Sequence, residues 1–213
     1  MRSPSPFRGR SAFSLIEILV TLGIVAVLAT LIAANAGKLG AKADAVTCSS
    51  NLRQMFLHLN NYAQENNGVY PAAVEAGTGR SWWLVLTTFM NAPEQIPAVG
   101  KKTIFACPAA RNTYPGKKVN RTYAMNIFEN FDFHTPCRIT ANSKPSQTIF
   151  IMDSCTSPAK SGDGIHYLRA SNFAANAEAR HSGKMNALYF DGHVAAVSID
   201  ASETVAQVQN LGK

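Results

Sequence analysis

The feature that most constrains this chain is an uncharged apolar run of 20 residues, Ile18 to Gly37, close behind a basic start. Helix rises about 1.5 Å per residue, so some 20 such residues match a hydrocarbon layer about 30 Å thick. The run therefore predicts a helix that crosses a membrane or lies in a helix bundle. Arg2, Arg8 and Arg10 precede it, which favours a cytoplasmic N-terminus and a downstream chain outside the cytoplasm. Lys38 and Lys42 follow it, so the charge asymmetry is small. A secretory signal peptide is the competing reading, with Ala34-Asn35-Ala36 as an A-x-A site. The apolar stretch is longer than the usual 7–15 or so residues of such a peptide.

Neither reading explains Glu17, the one charge between Phe13 and Gly37. A carboxylate near the centre of a spanning helix costs about 2.5–3.5 kcal/mol, and less near an interface. Such a group calls for a partner. The stretch R-S-A-F-S-L-I-E-I-L-V-T-L-G-I-V, from Arg10 to Val25, resembles the processing site of type IV prepilins and type II secretion pseudopilins. The resemblance implies cleavage by a prepilin peptidase between Ala12 and Phe13, where the family mostly has Gly before the cut. It also implies methylation of the new N-terminal Phe13 by the same enzyme, and places Glu17 as the fifth mature residue. In a filament the Glu17 carboxylate would then pair with the Phe13 amine of a neighbouring subunit, so that neither charge is buried alone.

Beyond the glycines, Leu52, Met55, Phe56, Leu59, Tyr62 and Ala63 recur at spacings of three and four, the stripe of an amphipathic helix. Asn66, Asn67 and Gly68 supply its stop, with Pro71 just beyond. Phe13 to Asn66 would be one helix of about 80 Å if continuous. Gly37 and Gly40, each costing about 1 kcal/mol relative to Ala, mark an expected flexible joint between a membrane half and a stalk half.

From Tyr70 onward the only long helical pattern is about Ser81 to Met90, where at least one of Trp82 and Trp83 should be core. Thr103 to Ala106 and Thr148 to Met152 read as strands. In N-A-L-Y-F-D-G-H-V-A-A-V-S-I, Asp191-Gly192 predicts a two-residue type I′ turn between strands at Asn186 to Phe190 and His193 to Ile199. His181 precedes Asp191-Gly192 with nine residues between, a spacing similar to a C-terminal His-(nine residues)-Asp-Gly signature of prepilin-like proteins. C-S-S-N-L-R-Q-M (Cys48 to Met55), F-A-C-P (Phe105 to Pro108), Y-A-M-N (Tyr123 to Asn126) and P-S-Q-T-I-F-I-M-D-S (Pro145 to Ser154) fit the same group. That signature carries no chemistry with it.

The net charge of +7 falls to +4 when residues 1–12 and their three arginines are removed. The remaining cations are scattered, which argues against nucleic-acid binding. Cys48, Cys107, Cys137 and Cys155 have no C-x-x-C spacing. An exported chain would favour two disulfides, of which Cys48 with Cys107 and Cys137 with Cys155 is the expected pairing, with buried free thiols as the alternative. No H-E-x-x-H, G-x-S-x-G or phosphate loop occurs, so no catalytic site is expected, although His181, Asp191, His193 and Asp153 could together hold a metal and activate water. The pseudopilin resemblance implies at most a structural calcium, for which Asp153 and Asp163 in S-G-D-G (Ser161 to Gly164) are oxygen-bearing candidates; otherwise no cofactor is expected.

The expected architecture is α+β: a leader at 1–12, a membrane or filament-core helix at 13–37, an amphipathic stalk at 38–66, and a globular domain at 67–213 on a small antiparallel sheet. The resemblance implies a subunit held in the bacterial inner membrane with its globular domain in the periplasm. It would then be drawn by a pilus or secretion machinery into a filament of pilins or pseudopilins. A tethered or secreted binding module is the alternative. The mature protein from its own host should begin at methylated Phe13; N-terminal sequencing and intact mass check this, and a start at Gly37 would mean ordinary signal-peptide cleavage.

Overall fold

The computed structural model describes residues 13–96, 101–113, 120–127, 132–154, 165, 167–200 and 202–209. The leader with Ala12, the S-G-D-G stretch with Asp163, and Cys155 lie outside the described residues. The chain divides into two units, residues 1–40 and 41–213, each described by itself.

Helix α1 (Leu15–Glu65) begins with Ser14 ahead of its first turn, where the Ser14 amide donates to Glu17 Oε2 at 2.9 Å. Ser-x-x-Glu is the sequence of a capping box, and this bond is the half of it made by the acidic side chain. In the first unit, Leu15–Ala33 has a mean hydropathy of 2.7 and none of it is buried. Helical backbone continues through Gly37 and Gly40, and the division between the units falls directly after Gly40. Helix α1 ends as the sequence predicts. Asn67 and Gly68 take positive φ, 55° and 74°, and the Gly68 amide donates back to the Ala63 carbonyl at 2.7 Å.

In the second unit, Cys48, Leu52, Met55, Leu59 and Ala63 form a fully buried stripe on α1 at spacings of four, three, four and four. Leu57, off that stripe, is 61% exposed. The stripe joins a core with Tyr70, Trp82, Phe105, Tyr123, Phe150 and Leu188. Trp82 belongs to helix α2 (Trp82–Phe89); Trp83 is only partly buried and carries the Arg121 guanidinium 5.1 Å above its ring.

Five strands form one sheet: β1 (Tyr123–Asn126), β2 (Ile149–Asp153), β3 (Tyr167–Leu168), β4 (Met185–Tyr189) and β5 (Val194–Val197), in the order β3-β1-β2-β4-β5. Four of the five run as an antiparallel set, but β3 pairs parallel to β1, so the sheet is mixed rather than purely antiparallel. Alternation gives the sheet two buried faces. Tyr123, Met125, Ile151 and Leu188 face the core shared with α1. Ala124, Met152, Ala187 and Tyr189 face a second core with Phe173 of α4 (Ala170–Asn176) and Val208 of α5 (Ser202–Gln209). A register shift between Ile149 and Ile151 places Phe150 on the α1 side together with Ile151.

Two expected elements differ. Thr103 to Ala106 is not a strand but a turn, closed by the Ala106 amide on the Thr103 carbonyl at 3.3 Å. It is tied to α1 by Asn51, whose side-chain amide donates to the Ala106 carbonyl at 3.3 Å. The β4-β5 connection is not a two-residue type I′ turn. Leu188 pairs with Val194 and the Tyr189 amide donates to the His193 carbonyl, so Phe190, Asp191 and Gly192 form a three-residue loop. Of Asp191 and Gly192 only the glycine takes positive φ, 92°, as the last position of such a loop requires. Phe190 leaves the ladder because its ring is buried against Phe150, centroids 4.2 Å apart. A Cβ at Gly192 would lie 2.3 Å from the Phe56 ring of α1, so this position excludes side chains on two grounds. The φ signs of a type I′ turn occur instead at Ser182 and Gly183, between His181 and Lys184.

Leu59→Ala should lower unfolding stability by about 2–5 kcal/mol, because it opens a cavity beneath the stripe. Leu57→Ala should change it by no more than about 0.5 kcal/mol. Denaturant titration of the detergent-solubilised chain, followed by tryptophan fluorescence, compares the two.

Candidate functional site

The stripe and the sheet bring four chemistry-bearing side chains to one buried point. Cys48 is the first residue of the α1 stripe. Cys107 follows the 103–106 turn, its amide held by Thr122 Oγ1 at 2.7 Å. Asp153 ends β2, and strand alternation after Ile151 turns it towards α1. His181 opens the Ser182-Gly183 turn that leads into β4. The ligand-type atoms of all four lie within 4.8 Å of one another.

Shorter distances define the arrangement. His181 Nε2 lies 3.3 Å from Asp153 Oδ2 and 3.3 Å from Cys107 Sγ, and the Cys48 thiol donates to Asp153 Oδ1 at 3.5 Å. The Asn186 amide donates to Asp153 Oδ2 at 2.7 Å, and the Tyr123 hydroxyl donates to Cys48 Sγ at 3.0 Å. Arg180 closes the cluster. Its side chain is completely buried, 3.7 Å from Asp153 Oδ1, and donates to the Thr122 and Ser154 carbonyls at 3.2 and 2.6 Å. Burial works against a charged His181, but the hydrogen bonds that its imidazolium donates to Asp153 and Cys48 outweigh it and lift the imidazole to about 9. Burial likewise drives the Cys48 thiol far above its ordinary range, with Cys107 and Asp153 adding to the effect. Two thiols, an imidazole and a carboxylate so placed can hold a metal ion.

The structure thus brings Cys48 and Cys107 together, as the expected pairing supposes, but as free thiols rather than a disulfide. Cys137 is also free, its backbone carbonyl accepting from the Tyr70 amide at 2.8 Å. Of the four residues weighed as a water-activating set, Asp153 and His181 meet in the buried cluster. Asp191 and His193 pair with each other on the exposed hairpin at 2.6 Å instead. The His-(nine residues)-Asp-Gly signature therefore separates into two jobs, a buried imidazole and a loop that needs glycine. Of the two calcium candidates, Asp163 lies outside the described residues, and among the described residues the ligand-type neighbours of Asp153 are sulfur and nitrogen rather than the six to eight oxygens that calcium takes.

Sequence reasoning noted the cysteines and His181 separately and missed their convergence. The available signal was Cys48 itself, which extends the apolar stripe by one turn and so had to face the sheet. Phe13 and Glu17 lie at the exposed start of α1, where Glu17 also caps the helix. No family model, curated protein or solved structure matches the chain.

His181 gives the metal-free, reduced protein a pH dependence of known sign. A folded-state value raised from about 6.5 to about 9 contributes stability fully below the lower value and loses it as pH rises towards the higher. Above the ordinary thiol range the buried Cys48 thiol acts in the same direction. Urea unfolding with chelator and reductant should therefore show stability falling between about pH 6.5 and 9, and His181→Gln should flatten the lower part of that fall.

Proposed function

We propose that this chain is a pilin-like structural subunit, processed before Phe13 and assembled through its N-terminal helix into a type IV pilus or type II secretion pseudopilus. The observation that carries the reading is the bare helix: Leu15–Ala33 is apolar enough to cross a membrane and buries nothing. The unit that follows has apolar cores of its own. So much uncovered apolar surface calls for lipid or for copies of the same helix, and a filament supplies first one and then the other. Helices leaving lipid gain no hydrophobic drive, so association rests on close packing and on satisfying Glu17.

The partners implied are the prepilin peptidase and N-methyltransferase, other pilin or pseudopilin subunits, the inner membrane and the assembly machinery. No catalytic role is assigned to the globular domain. A membrane anchor carrying a binding module shares the bare helix but gives no reason for an acidic residue four positions after Phe13.

Glu17 has two roles to separate, a helix cap and a charge partner. Glu17→Gln keeps an acceptor suitable for a capping box and removes the charge. The variant should insert in the membrane and be processed normally, yet be lost from sheared filaments, as read by immunoblot of membrane and filament fractions. Incorporation at the wild-type level would reject charge pairing with the Phe13 amine.

A further inference from the structure

We infer that Cys48, Cys107, Asp153 and His181 form a tetrahedral zinc site that fastens the stalk part of α1 to the globular fold. Three observations carry this.

The first is geometric. Zinc binds thiolate sulfur at about 2.3 Å and imidazole nitrogen or carboxylate oxygen at about 2.0–2.2 Å, so tetrahedral neighbours lie about 3.3–3.8 Å apart. His181 Nε2 stands 3.3 Å from Asp153 Oδ2 and 3.3 Å from Cys107 Sγ, Cys48 Sγ stands 3.5 Å from the other carboxylate oxygen, Oδ1, and the four ligand atoms all lie within 4.8 Å of one another. Ordinary hydrogen bonding would not require all four groups to converge on one point.

The second is the donor set. Two sulfurs, one imidazole nitrogen and one carboxylate suit zinc and exclude calcium and magnesium as natural occupants. All four positions come from the protein, which is the closed form of a structural site and leaves no place for an activated water.

The third is charge. Binding displaces one proton from each thiol and a third from the His181 imidazolium, giving two thiolates, a carboxylate and a neutral imidazole around a divalent cation, a formal charge of −1. The wholly buried Arg180 guanidinium beside Asp153 Oδ1 brings the sum to zero. The Tyr123 hydroxyl, already aimed at Cys48 Sγ, donates to the thiolate that forms. A groove of about 390 Å³ that includes Lys42, Asp44, Thr113, Arg180 and His181 in its lining adjoins the cluster at His181.

The site joins the helix, the loop before α3 (Ala110–Thr113), the end of β2 and the turn before β4. Metal binding is therefore coupled to folding of the whole 41–213 unit. The inference concerns that unit alone and does not depend on the filament reading.

The test uses the full-length chain in detergent, purified without chelator or reductant. Elemental mass spectrometry should find one zinc per chain. Native intact mass should show one zinc gained and two protons lost relative to the uncharged chain. Cys48 and Cys107 should resist alkylation until zinc is removed. After chelation, Co(II) added alone should give the sulfur-to-cobalt charge-transfer band and visible bands of a tetrahedral thiolate site, and Zn(II) should bleach them. Cys107→Ser and His181→Ala should lose the metal while Cys137→Ser keeps it, and Tyr123→Phe should weaken zinc about 10- to 100-fold. Should the ligand variants fail to fold, the cobalt spectrum of the unaltered chain decides. A Cys48-Cys107 disulfide in the purified chain would overturn the inference. So would a reduced chain that takes up neither Zn(II) nor Co(II) at one per chain.

Discussion

The seating of one helix stripe on one sheet face governs the 41–213 unit. Cys48, Leu52, Met55, Leu59 and Ala63 are all fully buried, and their spacing presents a single apolar ridge to Tyr123, Met125, Phe150 and Leu188. Burying a leucine-sized side chain stabilises by about 1.5–3 kcal/mol, so the ridge supplies much of the drive that orders the chain around it. It also fixes the rotation of α1. A slip of one residue would turn Cys48 away from Asp153 and Leu52 out of the core. The hairpin loop is fitted to the same helix, since Gly192 touches the Phe56 ring where no side chain has room.

That seating makes a buried ionic cluster tolerable. Asp153 and Arg180 are both wholly removed from solvent, and each is held by backbone groups as well as by the other. Buried charges are costly unless paired and hydrogen-bonded, and removing one partner from such a pair costs about 3–5 kcal/mol. The cluster sits where the stripe, β2 and the loop ahead of β4 meet, so its charge balance and the tertiary fold are maintained together. In the metal-free form the raised imidazole of His181 is one expression of that balance.

The two units pose opposite physical problems. The first exposes apolar helix that none of the described residues covers. The second buries its apolar side chains on both faces of a sheet and places its ionisable groups at the junction. The proposed membrane-held, filament-forming subunit would account for the contrast, because one part would leave lipid for a bundle while the other keeps its shape in water.

Local pattern and chemistry were enough to determine the bare apolar helix, the stalk stripe, its Asn67-Gly68 stop, α2 and β2. Each depends on periodicity or on a backbone conformation that few residues adopt. The same logic misplaced the β4-β5 turn, because Asp-Gly serves a two-residue and a three-residue loop alike; the choice was made by Phe190 burying itself on Phe150, a distant pairing. Likewise Thr103 to Ala106 has strand composition, yet among the described residues no strand pairs with it, and Asn51 holds it as a turn. The parallel pairing of β3 had no local signature at all. The buried cluster belongs wholly to tertiary structure: its four residues are scattered along the chain, and a cysteine, an aspartate and a histidine in isolation have many ordinary uses. Only the registry of helix on sheet brings their atoms to within one metal's reach.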